Sequence, residues 1–280
     1  MARSNLRDLV PQLKGAFASL KTPGEYGRFL VYLLSRCDNA VGFTGAGIST
    51  ESGIPDYRSA GALWAKYMPV QYQDFVSNEQ VRVDSWRRKF ELDEQYGDLK
   101  PNTGHLAFAN AVKKGRMSAV ITQNIDGLHQ KAGVPDDRVI ELHGNGTYAT
   151  CLSCGKRYEL ADIRADLEKT GKSPRCSACG GIVKDAIVSF GQQMPEEAMR
   201  RAHDETAACD LFIVGGSSLV VYPAAGFPSM ARRRGAVLVI INRDPTDQDA
   251  DADFVIHGEL GPVLAPLVNC EFDVTEFNTG

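Results

Sequence analysis

Four cysteines in two closely spaced pairs constrain the fold of this chain more than any other feature. The pairs are Cys151-Leu-Ser-Cys154 and Cys176-Ser-Ala-Cys179, with 21 residues between them. This spacing is typical of a zinc ribbon, in which each pair supplies two thiolates to one tetrahedral ion. Four thiolates leave no position open for a substrate, so the predicted zinc is structural. A disulfide or redox role is the alternative, although neither pair stands at the start of a βα unit.

Outside the cysteine-rich segment, apolar runs alternate with helical patterns. Strands are predicted at 40–44, 119–122, 211–214, 237–241 and 253–256, and helices at 4–20, 24–36, 105–114 (capped by Thr103), 195–208, 223–234 and 259–268. This alternation favours an α/β fold with a doubly wound, Rossmann-like parallel sheet, whose ligands bind at the strand ends. Residues 145–185 form a small inserted zinc-ribbon module. Residues 60–98 are predicted to be short helices that lie as a cover over a cofactor loop.

Bulk properties exclude several classes of protein. The chain has 280 residues, 43% of them hydrophobic, and a formal net charge of −4, which argues against broad nucleic-acid binding. No apolar run reaches the length that a membrane span needs, and the N-terminus lacks the apolar core of a signal peptide. With an odd number of cysteines, these properties predict a cytoplasmic protein with neither nucleic-acid nor membrane partners.

The first predicted strand runs directly into Gly45-Ala-Gly47. Glycines at such a turn allow backbone N–H groups to approach a phosphate. Thr50 stands where the dehydrogenase fingerprint has its third glycine, and Pro55 prevents a long helix from following. A simple tight turn explains the two glycines equally well, so this motif alone does not establish nucleotide binding.

Several segments resemble the sirtuins, a family of NAD-dependent protein deacylases, in the same order along the chain. They are Gly45–Arg58, Thr122–His129, Glu141–Gly144, the cysteine quartet, Ser189–Gly191, Gly216–Leu219, Ile241–Pro245 and Asp251–Ile256. The resemblance covers roughly residues 25–268. Residues 74–88 are most similar to the branch that contains the mitochondrial lipoamidase-type and many bacterial sirtuins.

The resemblance implies a set of NAD-binding residues, which extends along most of the chain. They are Gly45, Ala46, Gly47, Ile48, Asp56, Tyr57, Arg58, Trp64, Gln123, Asn124, Ile125, Asp126, Gly216, Ser217, Ser218, Asn242, Arg243, Asp244 and Ala252. It also implies catalytic roles for His143, Asn124 and Asp126, with His143 as the general base, and implies NAD and one structural zinc as cofactors. The alternative for His143 is a core or zinc-proximal histidine, although four cysteines already saturate a tetrahedral ion.

The implied substrate is an acyl-lysine protein or peptide, held by Val188, Phe190, Gly191 and Arg88. In the family reaction the acyl oxygen displaces nicotinamide, the general base helps a ribose hydroxyl to attack, and free lysine, nicotinamide and O-acyl-ADP-ribose result. Lys184-Asp185 and Gln192 depart from the family pattern and put the peptide preference in doubt. Two alternatives are a mono-ADP-ribosyltransferase on the same scaffold and a non-catalytic NAD-sensing module.

The predicted domain limits follow from these assignments. Residues 1–22 form an N-terminal helical extension, 23–144 and 186–280 the Rossmann-like NAD-binding domain, and 145–185 the zinc module with its cover at 60–98. In the cover, Ser85-Trp-Arg-Arg88 stands where sirtuins that prefer succinyl or malonyl groups carry Tyr-x-x-Arg. Without the tyrosine, deacylation of neutral acyl groups is expected to equal or exceed desuccinylation. Alternatively, Arg87 and Arg88 are only solvated charges on a helix surface.

Overall fold

The computed structural model of the chain describes residues 6–56, 69–96 and 99–277. The helices are α1 (Leu6–Ser19), α2 (Pro23–Arg36), α3 (Tyr72–Ser77), α4 (Glu79–Tyr96), α5 (Thr103–Lys113), α6 (Leu128–Lys131), α7 (Leu160–Thr170), α8 (Glu196–Ala208), α9 (Gly226–Arg233) and α10 (Leu260–Leu264). The strands are β1 (Ala40–Thr44), β2 (Met117–Thr122), β3 (Val139–Glu141), β4 (Gly144–Cys151), β5 (Arg157–Glu159), β6 (Val183–Ile187), β7 (Leu211–Gly215), β8 (Val237–Asn242) and β9 (Phe254–His257). None of the described helices is long and apolar enough to cross a membrane.

The predicted doubly wound parallel sheet is confirmed. Six parallel strands lie in the order β3-β2-β1-β7-β8-β9, so the chain builds outward from β1 on one side and from β7 on the other. Strands β1 and β7 are buried along their whole length because helices cover both faces of the sheet. The order reverses between β1 and β7, and ligands of such sheets bind beyond the carboxyl ends of the strands at this point.

Two apolar layers hold the helices on the sheet. One face packs against α1, α2, α5 and α10 through a cluster that includes Phe29, Leu33 and Phe108. The other face packs against α8 and α9 through Phe43, Phe212 and Phe227. The helix α5 is capped by Asn102 and not by the predicted Thr103, because the Asn102 side chain accepts from the backbone N–H of Gly104 (2.9 Å). The predicted helix at 259–268 is α10 followed by a 3₁₀ turn at 265–267, where Pro266 lacks the N–H of a continuing helix.

The cysteine-rich segment folds as a three-stranded antiparallel sheet, β5-β4-β6, with α7 packed against it. Its small core is completed by Trp86 and Phe90 from α4, which contact the cluster of Ile163 and Leu167. The predicted short helices are wrong in length for α4, which is a single helix of 18 residues. Spacing of i, i+3 and i+7 places Val83, Trp86 and Phe90 on the helix face that the module buries. Residues 60–68 and 97–98 of the predicted cover lie outside the described residues.

Candidate active site

A cleft of about 670 Å³ opens beyond the carboxyl ends of β1, β2, β7 and β8, facing α4 and the end of β6. The structure brings most of the predicted site residues into its lining. They are Gly45, Ala46, Gly47, Asp56, Arg88, Gln123, Asn124, Ile125, His143, Val188, Phe190, Gly191, Gly216, Ser217, Ser218, Asn242, Arg243 and Asp244. These residues span almost 200 positions in the sequence. They lie close together because the strands that precede them end at the same edge of the sheet.

Three predicted residues that the structure describes, Ile48, Asp126 and Ala252, are not in the lining. Ile48 is 1% exposed and belongs to the core, and Ala252 packs against the cluster under α9. Asp126 lies behind the cleft wall in a hydrogen-bonded network. Tyr57, Arg58 and Trp64 lie outside the described residues.

The glycines after β1 allow two strand-end loops to touch each other. The Gly47 N–H donates to the Gly216 carbonyl (2.8 Å), and a Cβ at Gly47 would lie 2.8 Å from the Gly216 Cα. Gly216 itself has a φ of 65°, a conformation that side chains disfavour. The glycines at 47 and 216 are thus required by backbone packing at the floor of the cleft, before any ligand is considered.

Asn124 connects the loops after β1 and β2. Its side-chain Nδ2 donates to the Gly45 carbonyl (3.1 Å) and to Ser49 Oγ (3.2 Å), and its backbone N–H donates to Thr122 Oγ1 (3.0 Å). The side chain is 9% exposed. Because these three bonds fix both ends of the residue, Asn124 holds the glycine loop at a set position over the strand ends.

Asp126 anchors the start of α6 and the 3₁₀ turn after β1. One carboxylate oxygen accepts from Ser49 Oγ (2.7 Å) and the other from the Leu128 N–H (2.9 Å). Ser49 Oγ also lies 3.4 Å from His105 Nε2, and burial lowers the pKa of His105 to about 4 although the charge of Asp126 opposes this shift. Ser49 and His105 are not among the predicted site residues, since β1, β2 and α5 must meet before their side chains are neighbours.

His143 lines the cleft, and one of its ring nitrogens is hydrogen-bonded. Nδ1 lies 3.0 Å from the backbone carbonyl of Gln123, so Nδ1–H is the donor and Nε2 is left as an acceptor. Burial lowers the pKa of His143, and the hydrogen bond to Gln123 opposes part of this shift. The backbone carbonyl of His143 accepts from the Val188 N–H (2.8 Å). Among the described residues, the cluster able to hold a metal contains the four cysteines and not His143.

Glu141 and Asn145 bracket His143 in the sequence and bond to each other. Glu141 Oε1 accepts from Asn145 Nδ2 (2.7 Å) and from Gln130 Nε2 on α6 (2.8 Å). Burial raises the pKa of Glu141, and the two amide donors oppose the shift. Asn145 Oδ1 accepts from the Thr147 N–H (2.7 Å). Glu141 belongs to the Glu-Leu-His-Gly motif, so its motif was visible in the sequence while its partners were not.

The segment after β6 forms the opposite side of the cleft. The Phe190 carbonyl accepts from the Tyr72 N–H (2.9 Å), and Gly191 has a φ of 80° that closes the turn. Gln192 Oε1 accepts from the Ser189 N–H (3.1 Å), so the neutral amide closes its own turn. Lys184 is 2% exposed and donates to Asp185 Oδ1 (2.8 Å). The charge of Lys184 is therefore paired within β6 itself.

The two arginines of α4 have different surroundings. Arg88 and Ser85 line the cleft, and Arg88 is half-buried. Arg87 is exposed and lies 3.6 Å from Asp84 one turn earlier. The interpretation as a solvated surface charge therefore fits Arg87, whereas Arg88 is part of the cleft wall.

The four predicted zinc ligands meet at one point. Their Sγ atoms all lie within 4.8 Å of one another, with Cys151 to Cys179 at 3.5 Å and Cys154 to Cys176 at 3.6 Å. A zinc–sulfur distance of about 2.3 Å in a tetrahedron requires sulfur–sulfur edges of about 3.8 Å, so the donor set fits one zinc ion. Turns at Gly155 and Gly180, with φ of 71° and 72°, bring each pair together.

Comparisons with known proteins identify the family. A model of the Sir2 family matches residues 45–223. An NAD-dependent protein deacetylase of Rhodopseudomonas palustris is 52% identical over 236 residues, which cover 84% of this chain and 93% of that protein. The NAD-dependent protein deacylase 2 of Archaeoglobus fulgidus is 41% identical over 237 residues, covering 84% of this chain and 92% of that protein.

Solved structures agree with the sequence comparison. A Sir2 protein bound to acetylated peptide aligns with a TM-score of 0.75 and 37% identity, over 85% of this chain and 94% of that one. A Sir2 complex with a p53 peptide and NAD⁺ aligns with a TM-score of 0.73 and 37% identity over the same shares. The resemblance found in the motifs is thus confirmed: this chain belongs to the Sir2 family, the sirtuins.

Proposed function

We propose that this chain is an NAD-dependent protein-lysine deacylase of the deacetylase type, which releases nicotinamide, free lysine and O-acyl-ADP-ribose. The observation that supports this most directly is the position of His143. Its Nε2 is available as a proton acceptor in the same cleft as the glycine loops after β1 and β7. The curated relatives are named as NAD-dependent deacetylases and deacylases.

The cleft residues would divide the work of holding NAD. The loops at 45–47 and 216–218 would hold the phosphates and adenosine together with Asn242, Arg243 and Asp244. Residues 123–125 would hold the nicotinamide and its ribose, with Asp126 supporting them from outside the lining. Asp56, Tyr57, Arg58 and Trp64 complete the proposed set, and Ile48 and Ala252 would support it from the core. Bound NAD supplies a ribose–nicotinamide bond that can break and the ADP-ribose that receives the acyl group. Asn124 is already fixed by Gly45 and Ser49, so its amide is oriented before a ligand arrives.

His143 would act as the general base. With Nδ1–H directed at the Gln123 carbonyl, Nε2 keeps its lone pair toward the cleft and can take a proton from a ribose hydroxyl. Burial favours the neutral imidazole, which is the form that a base requires. Asp126 would act less directly, by holding the loop after β2 through Ser49 and Leu128.

The acyl-lysine segment would bind across Val188, Phe190 and Gly191. Strand β6 is an edge of the three-stranded sheet, and an extended peptide can add to such an edge through backbone hydrogen bonds. Arg88 would face the acyl group from α4. Cys151, Cys154, Cys176 and Cys179 would hold one structural zinc, and the predicted domain limits and cytoplasmic location are kept as parts of this proposal.

The test is release of nicotinamide by purified protein, with NAD, in the presence and absence of an acetyl-lysine peptide. A deacylase releases nicotinamide when the peptide is present and yields O-acetyl-ADP-ribose, identified by mass. A mono-ADP-ribosyltransferase instead adds the mass of ADP-ribose to a protein. A non-catalytic sensor binds NAD, with neither product formed. Either of these last results contradicts the proposal.

A further inference from the structure

We infer that two uncharged segments at the mouth of the cleft select acyl-lysine sites that are flanked by large apolar or aromatic residues. The first lip is residues 186–195, which are the last two residues of β6 and the segment that follows it, and the second lip is residues 217–225, between β7 and α9. The inference rests on the proposed function, because it concerns the peptide on either side of the acyl-lysine. It adds the chemical class of that peptide.

Exposed apolar side chains are concentrated at this mouth. Among the residues that the structure describes, the large hydrophobic side chains that are exposed are Leu106 (40%), Phe190 (45%), Val220 (43%) and Tyr222 (70%). Phe190, Val220 and Tyr222 all line the cleft, one on the first lip and two on the second. Exposed apolar groups gathered around one opening indicate a surface that a partner covers.

Neither lip contains an aspartate, glutamate, lysine or arginine. The amide oxygen of Gln192 accepts from the Ser189 N–H of the same turn. Charged side chains do line other walls of the cleft, where Lys184 is paired with Asp185 (2.8 Å), Arg243 with Asp244 (3.0 Å) and Lys89 with Asp93, and where Asp56, Arg88 and Glu259 also lie. The lips therefore supply no local charge with which to choose acidic or basic flanking residues.

The backbone conformation of the second lip holds its apolar side chains at the cleft mouth. Leu219 adopts a φ of 56°, which is unfavourable for a residue with a side chain, and it is 2% exposed. Its side chain belongs to the core cluster beneath α9, and its N–H donates to Ser217 Oγ (3.3 Å). Burial of Leu219 thus offsets the backbone strain and holds the residues that follow it at the cleft mouth. A preformed surface loses little conformational entropy when it binds.

The occupant that fits is an extended acyl-lysine segment with leucine, phenylalanine or a similar residue beside the modified lysine. Such a side chain would remove apolar surface of Tyr222 and Val220 from water while the lysine enters between the lips. A charged flank would lose part of its hydration there and meet no opposite charge on either lip.

The experiment compares acetyl-lysine peptides that are identical except for the two residues on each side, which are leucine and phenylalanine, glycine, aspartate or lysine. We expect kcat/KM for the apolar peptide to exceed that for each charged peptide by about tenfold. In the variants Tyr222→Ser and Val220→Ser this advantage should fall below about threefold. The matched control is Leu106→Ser, which removes an exposed apolar side chain outside the cleft lining and should keep the full advantage.

The outcomes separate this inference from the proposed function. Equal kcat/KM for all four peptides, or a tenfold preference for a charged one, overturns the inference while deacylation stands. An apolar preference that survives in both Tyr222→Ser and Val220→Ser also overturns it. If no peptide supports nicotinamide release, the proposed function fails and the inference fails with it.

Discussion

The imidazole of His143 hydrogen-bonds the backbone carbonyl of Gln123 at 3.0 Å, across two loops that follow different strands. This bond places the ring proton on Nδ1 and leaves Nε2 as the proton acceptor. His143→Ala should therefore lower the rate of acyl transfer by about two to four orders of magnitude, the usual contribution of a positioned base. NAD affinity, measured by calorimetry, should change little. Near-normal turnover in this variant would remove His143 from the mechanism, and Asp126→Ala is expected to weaken the cofactor step instead.

Glu141 is expected to act on activity through the position of His143. Its Oε1 alone accepts both amide donors, from Asn145 and Gln130. Glu141→Ala removes the link between the His143 loop and α6, and a small displacement of a catalytic group is costly, so kcat should fall about 10- to 100-fold. Glu141→Gln keeps an acceptor oxygen and should restore most of kcat. If Glu141→Gln is as slow as Glu141→Ala, the charge of Glu141 matters and not its position as an acceptor.

The buried histidines predict how stability depends on pH. Burial lowers the pKa of His105 to about 4, below its unfolded value of about 6.5, so between these values the unfolded chain binds more protons than the folded one. The stability that neutral His105 contributes is present above about pH 6.5 and is lost as the pH falls toward 4. His129 and His143 have lowered pKa values and act in the same direction.

Urea unfolding at pH 7 and pH 5.5 measures this effect. The free energy of unfolding should be lower at pH 5.5, and His105→Gln should show a weaker pH dependence than the wild-type chain. A steeper dependence in His105→Gln would contradict the assignment of a neutral buried His105.

Loss of zinc is expected to affect the module and the active site together. The strand β4 begins at Gly144, next to His143, and ends at the ligand Cys151. Cys151→Ala or Cys179→Ala should therefore lower solubility and activity at once, because metal binding supplies much of the folding free energy of such a module. Full stability and normal activity of a metal-free protein would contradict the prediction. The control is Cys209→Ala, which removes a cysteine that is not in the metal cluster.

The acyl group is expected to be neutral. Arg88 lines the cleft, but Ser85 stands where a tyrosine hydroxyl would help to hold a carboxylate. A guanidinium can bind a carboxylate through two parallel hydrogen bonds. Without the tyrosine hydroxyl, the position of such a carboxylate beside Arg88 would be less fixed. Deacetylation should equal or exceed desuccinylation in a direct comparison of kcat/KM. A tenfold advantage for succinyl-lysine that is abolished in Arg88→Met and kept in Arg87→Met would reverse this prediction.

Much of the fold and part of the site could be predicted from the sequence because their signals are local. The two cysteine pairs, the buried strand before Gly45 and the helix-strand alternation each depend on residues a few positions apart. The ordered motifs then indicated the family, and most of the site residues that the family implies do line the cleft.

Tertiary structure alone decided which of these residues contact each other. Ser49 meets Asp126, and Gly47 meets Gly216, only after distant strands have paired. In the same way, α4 completes the zinc module because the faces of Trp86 and Ile163 come together in space. The periodicity of apolar residues predicts which side of a helix or strand is buried. It does not predict which other element covers that side, because the hydrophobic effect is non-directional and the partner depends on the path of the whole chain.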